Sequence, residues 1–124
     1  MQRYYTEIAK FERAGFTILV DYTYEDIDPW EQLSECFDSK EQLYADIDSG
    51  KYEWFMLRTR AVFQGHEMGC TYLGGCLYER PEDVMTDGTV EDQLIEVLKE
   101  ARMEALRLKQ ELVELDLEQY AEAE

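Results

Sequence analysis

Apolar and polar residues change period several times along this chain, and each change marks an element. From Phe16 to Tyr24 they alternate, with Phe16, Ile18, Val20, Tyr22 and Tyr24 on one side and Thr17, Leu19, Asp21 and Thr23 on the other. A period of two is that of a β-strand. Tyr52 to Phe63 and Glu67 to Glu79 also read as strands. Gln64-Gly65 between them reads as a hairpin turn, because glycine tolerates the positive φ such a turn requires. A two-residue loop sets Phe63 opposite His66, Ala61 opposite Met68, Thr59 opposite Cys70 and Leu57 opposite Tyr72. That register gathers Phe55, Leu57, Ala61, Phe63, Met68, Cys70 and Tyr72 on one apolar face. It leaves Trp54, Met56, Arg58, Arg60, Glu67, Thr71 and Leu73 on a mixed face. Gly74-Gly75 predicts a bulge or a close helix crossing.

Other stretches carry helical spacing. In residues 2–13, Tyr5, Ile8, Ala9 and Phe11 form a stripe and Gly15 stands where a C-cap glycine would. Asp28 before Pro29, with Glu31 three residues on, predicts a short helix from Pro29 to about Phe37. Ser39 with Gln42 opens another, whose apolar face is Leu43, Tyr44 and Ile47 and which Asp48-Ser49-Gly50 ends. The longest run is Thr89 to Ala121, free of Gly and Pro. Thr89 is its expected N-cap, with Asp92 as an imperfect capping-box partner. Leu94, Leu98, Ala101, Ala105, Leu108, Leu112 and Leu115 follow in steps of four and three, an a/d seam. At 1.5 Å per residue the helix spans roughly 50 Å, longer than a small domain is wide.

Two uses of that seam follow. Its first half covers the sheet while Leu98, Ala101, Ala105, Leu108, Leu112 and Leu115 zip a homodimer or meet a partner; or the whole helix packs inside the domain. The fold class expected is α+β: a three-stranded antiparallel sheet packed by helices, with residues 1–88 as the core and 89–124 as a long acidic C-terminal helix of the same single domain.

Charge changes this picture from architecture to partner. The net charge is −17, and it is uneven. Residues 21–50 carry ten carboxylates against one lysine, and residues 81–124 carry fourteen against four Lys and Arg, while the remaining stretches are each near neutral. Such a surface repels nucleic acid and anionic membrane and draws basic protein surfaces from a distance. Three cysteines, Cys36, Cys70 and Cys76, are an odd number for a disulfide framework. With no apolar leader at the N-terminus, reduced thiols in a cytoplasm fit best. No stretch is long and apolar enough to span a bilayer.

Candidate chemistry is sparse. Asp26-Ile27-Asp28 lacks the central glycine of a calcium loop, and from Asp46 the twelve-residue count ends on Leu57 where a glutamate is required. His66, the single histidine, falls at the expected turn tip, away from any catalytic partner. No phosphate-cradling glycine motif exists, so no catalytic residue, cofactor or metal is assigned. Trp54, Arg58 and Arg60 share a strand face that could stack a small nucleotide ligand, or could serve as ion pairs within the sheet.

The hairpin carries a resemblance. Tyr52-Glu53-Trp54-Phe55, then Gly65-His66-Glu67-Met68-Gly69, then Tyr72-Leu73-Gly74-Gly75-Cys76-Leu77-Tyr78, resembles small acidic proteins of phages and mobile elements. The compact acidic plan is similar to that of anti-CRISPR and antirestriction proteins, some of which imitate nucleic acid. The resemblance implies a non-enzymatic inhibitor that occupies a basic, nucleic-acid-binding surface on a host defence protein; it transfers no functional residue. Charge alone nominates the partner-binding residues: Asp21, Glu25, Asp26, Asp28 and Glu31 in one patch, and Glu100, Glu104, Glu111, Glu114 and Glu118 in the other. Carboxylates can stand in for phosphates because each attracts Lys and Arg through the same Coulomb interaction.

Overall fold

The computed structural model describes residues 3–115. Four strands form one antiparallel sheet in chain order: β1 (Thr6–Arg13), β2 (Phe16–Tyr24), β3 (Glu53–Phe63) and β4 (His66–Tyr78). Two short helices, α1 (Pro29–Leu33) and α2 (Lys40–Asp48), lie between β2 and β3. A 3₁₀ turn (Pro81–Met85) leads into α3 (Thr89–Glu114). The class is α+β, but the sheet has four strands where three were expected.

The added strand is β1, in the segment read as a helix. A bulge between Glu7 and Ala9 puts consecutive residues on the core side. Ile8, Ala9 and Phe11 all pack on the core, and their spacing imitates a helical stripe. Helix propensities differ by at most about 0.7 kcal/mol per ordinary residue. Burying an apolar side chain contributes roughly 1.5–3 kcal/mol, so pairing with β2 wins. Gly15 is no helix cap: with Ala14 it forms a two-residue turn, φ 56° and 88°, the left-handed pair that matches strand twist.

The β3–β4 register also departs from expectation. Phe63 faces His66, but Ala61 then pairs with Gly69, Thr59 with Thr71 and Leu57 with Leu73. The extra residue is Met68, and both Met68 and Gly69 are buried. Cys70 and Tyr72 therefore turn to the outer face, and Leu73 joins the core. Phe63 ends up 47% exposed. The cause is α3: a Cβ on Gly69 would sit 2.6 Å from the Val97 carbonyl oxygen and 3.2 Å from the Ala101 amide nitrogen. A residue without a side chain must face the helix there. The bulge expected at Gly74-Gly75 is present, with Gly75 at φ 70°, while the close helix crossing falls on Gly69.

The core lies between the inner sheet face and α3. Ile18, Val20, Phe55, Leu57 and Ala61 meet Val84, Val90, Leu94, Val97 and Ala101. The N-cap of α3 is Gly88, not Thr89; Asp87 accepts from the Thr89 N–H at 2.9 Å, and the Thr89 hydroxyl bonds the Tyr78 hydroxyl. α1 and α2 start as expected: Asp28 accepts from the Trp30 N–H, Pro29 takes the first position, and Ser39 accepts from the Gln42 N–H. α1 stops at Leu33, short of Phe37.

Candidate docking surfaces and an aromatic cleft

The first acidic patch divides into residues that hold the fold and residues that face outward. Asp21 is buried on the outer sheet face, and its oxygens take Arg58 Nε at 2.8 Å, an Arg58 terminal nitrogen at 2.7 Å and Arg60 at 3.2 Å. The Arg58 guanidinium lies 3.5 Å from the Tyr5 ring centroid, and its hydrogen bonds to Asp21 push its pKa further up. This is a self-satisfied ion pair, so Asp21 drops out of any docking surface. The Trp54, Arg58 and Arg60 face spends most of its donors within the chain: Arg58 and Arg60 on Asp21, and Trp54 Nε1 on the Ile27 carbonyl, while Arg60 Nε is buried without a partner among the described residues.

Glu25 clamps the β4 bulge, accepting from the Gly75 N–H at 2.9 Å and from the Ile27 N–H at 3.2 Å. Asp26 pairs with Arg3. Asp28 accepts from the Tyr44 hydroxyl and caps α1, and both bonds hold its carboxyl below the ordinary range. Tyr44 in return is pushed up to about 12 by that hydrogen bond. Glu31 alone of the five nominated residues is an exposed carboxylate without a structural task assigned to it. It has exposed neighbours, though: Glu35, Asp38, Glu41 and Asp48 on or beside α1 and α2. Residues 25–53 carry ten carboxylates against Lys40 and Lys51, a net of −8. Both lysines lie over tyrosine rings, Tyr44 and Tyr52 respectively.

The second patch is weaker than its glutamates suggest. Arg107 sits between Glu104 and Glu111 and pairs with both. Gln110 donates to Glu114 at 3.0 Å. Glu100 is exposed, and Glu118 lies outside the described residues. Seven carboxylates of residues 89–115 stand against Lys99, Arg102, Arg107 and Lys109. The acidity is thus concentrated in the α1–α2 lobe rather than shared equally by two patches.

The heptad seam is used internally over most of its length. Leu94 and Ala101 are buried, and Leu98, Ala105 and Leu108 pack on the core. This chain's own fold takes up Leu94 and Ala101 fully and covers Leu98, Ala105 and Leu108 in part. Leu112 and Leu115 continue the stripe past the sheet and are 61% and 46% exposed. Leu106 and Val113 are also exposed, on the opposite face of the helix.

One feature was missed by sequence reasoning. The register Tyr24 to Phe55 brings two tyrosine-rich strand ends together. With Ile47 and Gly50 they enclose a cleft of about 300 Å³ lined by Tyr22, Tyr24, Tyr52, Phe55 and Glu53. The signal was a tyrosine on each side of Thr23 and another before Glu53, which only strand pairing makes into a site. Among the described residues no cluster of three or more Cys, His, Asp or Glu side chains is arranged to hold a metal, and no helix is long and apolar enough to cross a membrane. No family model, no curated protein and no solved structure matches this chain.

Proposed function

We propose that this protein is a non-enzymatic acidic binding protein whose α1–α2 lobe docks on a basic, nucleic-acid-binding surface of another protein. The setting is the one its resemblance implies: an inhibitor of phage or mobile-element type acting on a host defence protein in the host cytoplasm. The observation that carries the reading is the lobe's net −8 with Glu31, Glu35, Asp38, Glu41 and Asp48 all exposed. Ordinary surfaces intersperse both signs; here the two available lysines are spent on tyrosine rings. Each exposed pair with a partner's Lys or Arg contributes roughly 0.2–1 kcal/mol. Five such pairs supply about 1–5 kcal/mol, with steering of the encounter in addition.

The test is capture of a nucleic-acid-binding protein from host lysate by the full chain, with duplex DNA as competitor and a salt series. The expected result is capture that DNA displaces and that weakens as screening rises. Reversing Glu31, Glu35, Asp38 and Glu41 to Lys should abolish it while the thermal transition stays in place. Undiminished capture by that variant rejects the reading.

A second reading rests on the helix overhang. Leu112 and Leu115 are exposed at the far end of α3 on the side of its core-facing stripe, and a second copy of the chain would cover them. Sedimentation of the wild type as a monomer at high concentration ends that reading.

A further inference from the structure

We propose that the aromatic cleft between the β2 end and the β3 start receives one cationic side chain, lysine or arginine, presented by a protein partner. The inference rests on the docking reading above and names the chemistry of one contact within it.

The walls are Tyr22, Tyr24, Tyr52 and Phe55, with Glu53 among them. Ring faces carry negative charge and attract cations placed within about 6 Å of the centroid. This chain already uses two of these rings in that way. The Arg3 guanidinium lies 4.5 Å from the Tyr24 centroid, and Lys51 Nζ lies 5.4 Å from that of Tyr52. Cations therefore reach ring faces at this corner of the fold. Glu53 is exposed and lines the cleft; burial and then the nearby Glu53 carboxylate push the Tyr22 hydroxyl pKa up, which places an anion beside the rings. The volume, about 300 Å³, is at the small end of ligand pockets and suits one side chain with an apolar stem. The surrounding segment, at net −8, concentrates cations and repels phosphates and carboxylates. An anionic or nucleotide ligand has no cationic partner among the lining residues, whereas an alkylammonium or guanidinium finds both rings and a carboxylate.

The experiment is an NMR titration of the full chain with N-acetyl-lysine methylamide and N-acetyl-arginine methylamide. The neutral control is N-acetyl-norleucine methylamide. Resonances of Tyr22, Tyr24 and Tyr52 should shift with a cationic probe at roughly tenfold lower concentration than with the control. Glu53→Gln and Tyr24→Leu, both at exposed positions, should each weaken the cationic probe several-fold and leave the control unchanged. Equal binding of the norleucine compound, or shifts located elsewhere, overturns the proposal. The lobe charge-reversal variant separates the two readings. Probe binding that survives in it while capture is lost supports the cleft and the docking lobe together. Absent probe binding with capture intact rejects the cleft alone, and probe binding without any capture rejects the docking reading alone.

Discussion

Gly69→Ala is the sharpest test of how α3 sits on the sheet. The added Cβ would lie 2.6 Å from the Val97 carbonyl oxygen and 3.2 Å from the Ala101 nitrogen. Both are backbone atoms of a helix whose neighbouring turns are buried, so neither can rotate away. Ordinary van der Waals contact begins near 3.4 Å. The helix must retreat by the better part of an ångström, or the β4 bulge must flatten. Flattening would send Met68 outward and forfeit a buried side chain worth roughly 1.5–3 kcal/mol. Retreat loosens the packing of Val97 and Ala101 at an overpacking cost of about 1–3 kcal/mol. Alanine recovers roughly 0.5–1 kcal/mol through lower chain entropy in the unfolded state. The net is a loss of about 1–2 kcal/mol, read as a lower midpoint in urea with an unchanged slope. Gly74→Ala is the control. Its Cβ would sit 2.7 Å from the Glu25 carboxylate rather than against backbone, so its loss should be limited to loosening the Glu25 hydrogen bonds to Gly75 and Ile27 while the helix packing stays intact. Equal stability of Gly69→Ala and wild type would refute the close helix crossing and, with it, the account given for the register shift.

Three further outcomes follow from the same structure. Asp21→Leu leaves Arg58 and Arg60 without their carboxylate and should cost about 3 kcal/mol in denaturant unfolding; adding Arg58→Met should recover part of that, because a deleted buried pair costs less than a broken one. Leu108→Glu should unfold or strongly destabilise the protein, since Leu108 packs on the core, whereas Leu112→Glu should leave the thermal transition unchanged and alter only self-association. Tyr44, held neutral by its hydrogen bond to Asp28, should be the last of the tyrosines near α1 and α2 to ionise, at about 12. Its folded-state value is raised, so that bond contributes fully below the ordinary tyrosine range near 10 and is lost as pH climbs through about 12. Tyrosinate absorbance measured against pH, with Tyr44→Phe as reference, checks the assignment.

The legible parts of this fold were those in which period and capping agree locally. The alternation of β2, the Asp28-Pro29 and Ser39 starts and the Gln64-Gly65 turn all stand as read. The misreadings of the sheet share one cause, the β-bulge. A bulge inserts a residue whose side chain keeps the face of its neighbour, so period two breaks at that point. The β1 bulge made Ile8-Ala9 look helical, and the β4 bulge at Met68 moved Cys70 and Tyr72 off the core face. Neither leaves a mark that composition can register, and the β4 bulge answers to a distant element, α3. Of the nominated carboxylates, Asp21 could have been suspected from its place within a strand, opposite an arginine. Asp28 was already an expected cap. Counting charge along the chain cannot separate a carboxylate that holds an arginine from one that faces solvent.

That separation bears on whether the acidity is more than a means of staying in solution. Solubility asks for net charge spread over the surface, which keeps self-repulsion small. Here the carboxylates on β2 and on the far half of α3 are largely neutralised by arginines of this chain, and the excess collects on α1 and α2. Those are the elements least able to bear it: α1 buries no residue and α2 buries only Leu43. A lobe with one buried anchor and net −8 opens more readily than the sheet, because its repulsion is opposed by few packed side chains. Selection for stability alone would place the repulsion where the core is deepest or dilute it with lysine. A basic partner of the kind proposed would resolve the conflict by neutralising the lobe on binding. Hydrogen exchange should then show α2 amides as the fast set in the free protein and the most strongly slowed set in the complex. Added salt should slow them in part, since screening relieves the same repulsion. If α2 exchanges as slowly as β3 in the free protein at low salt, the charge on the lobe imposes no strain for a partner to relieve, and solubility becomes a sufficient account of it.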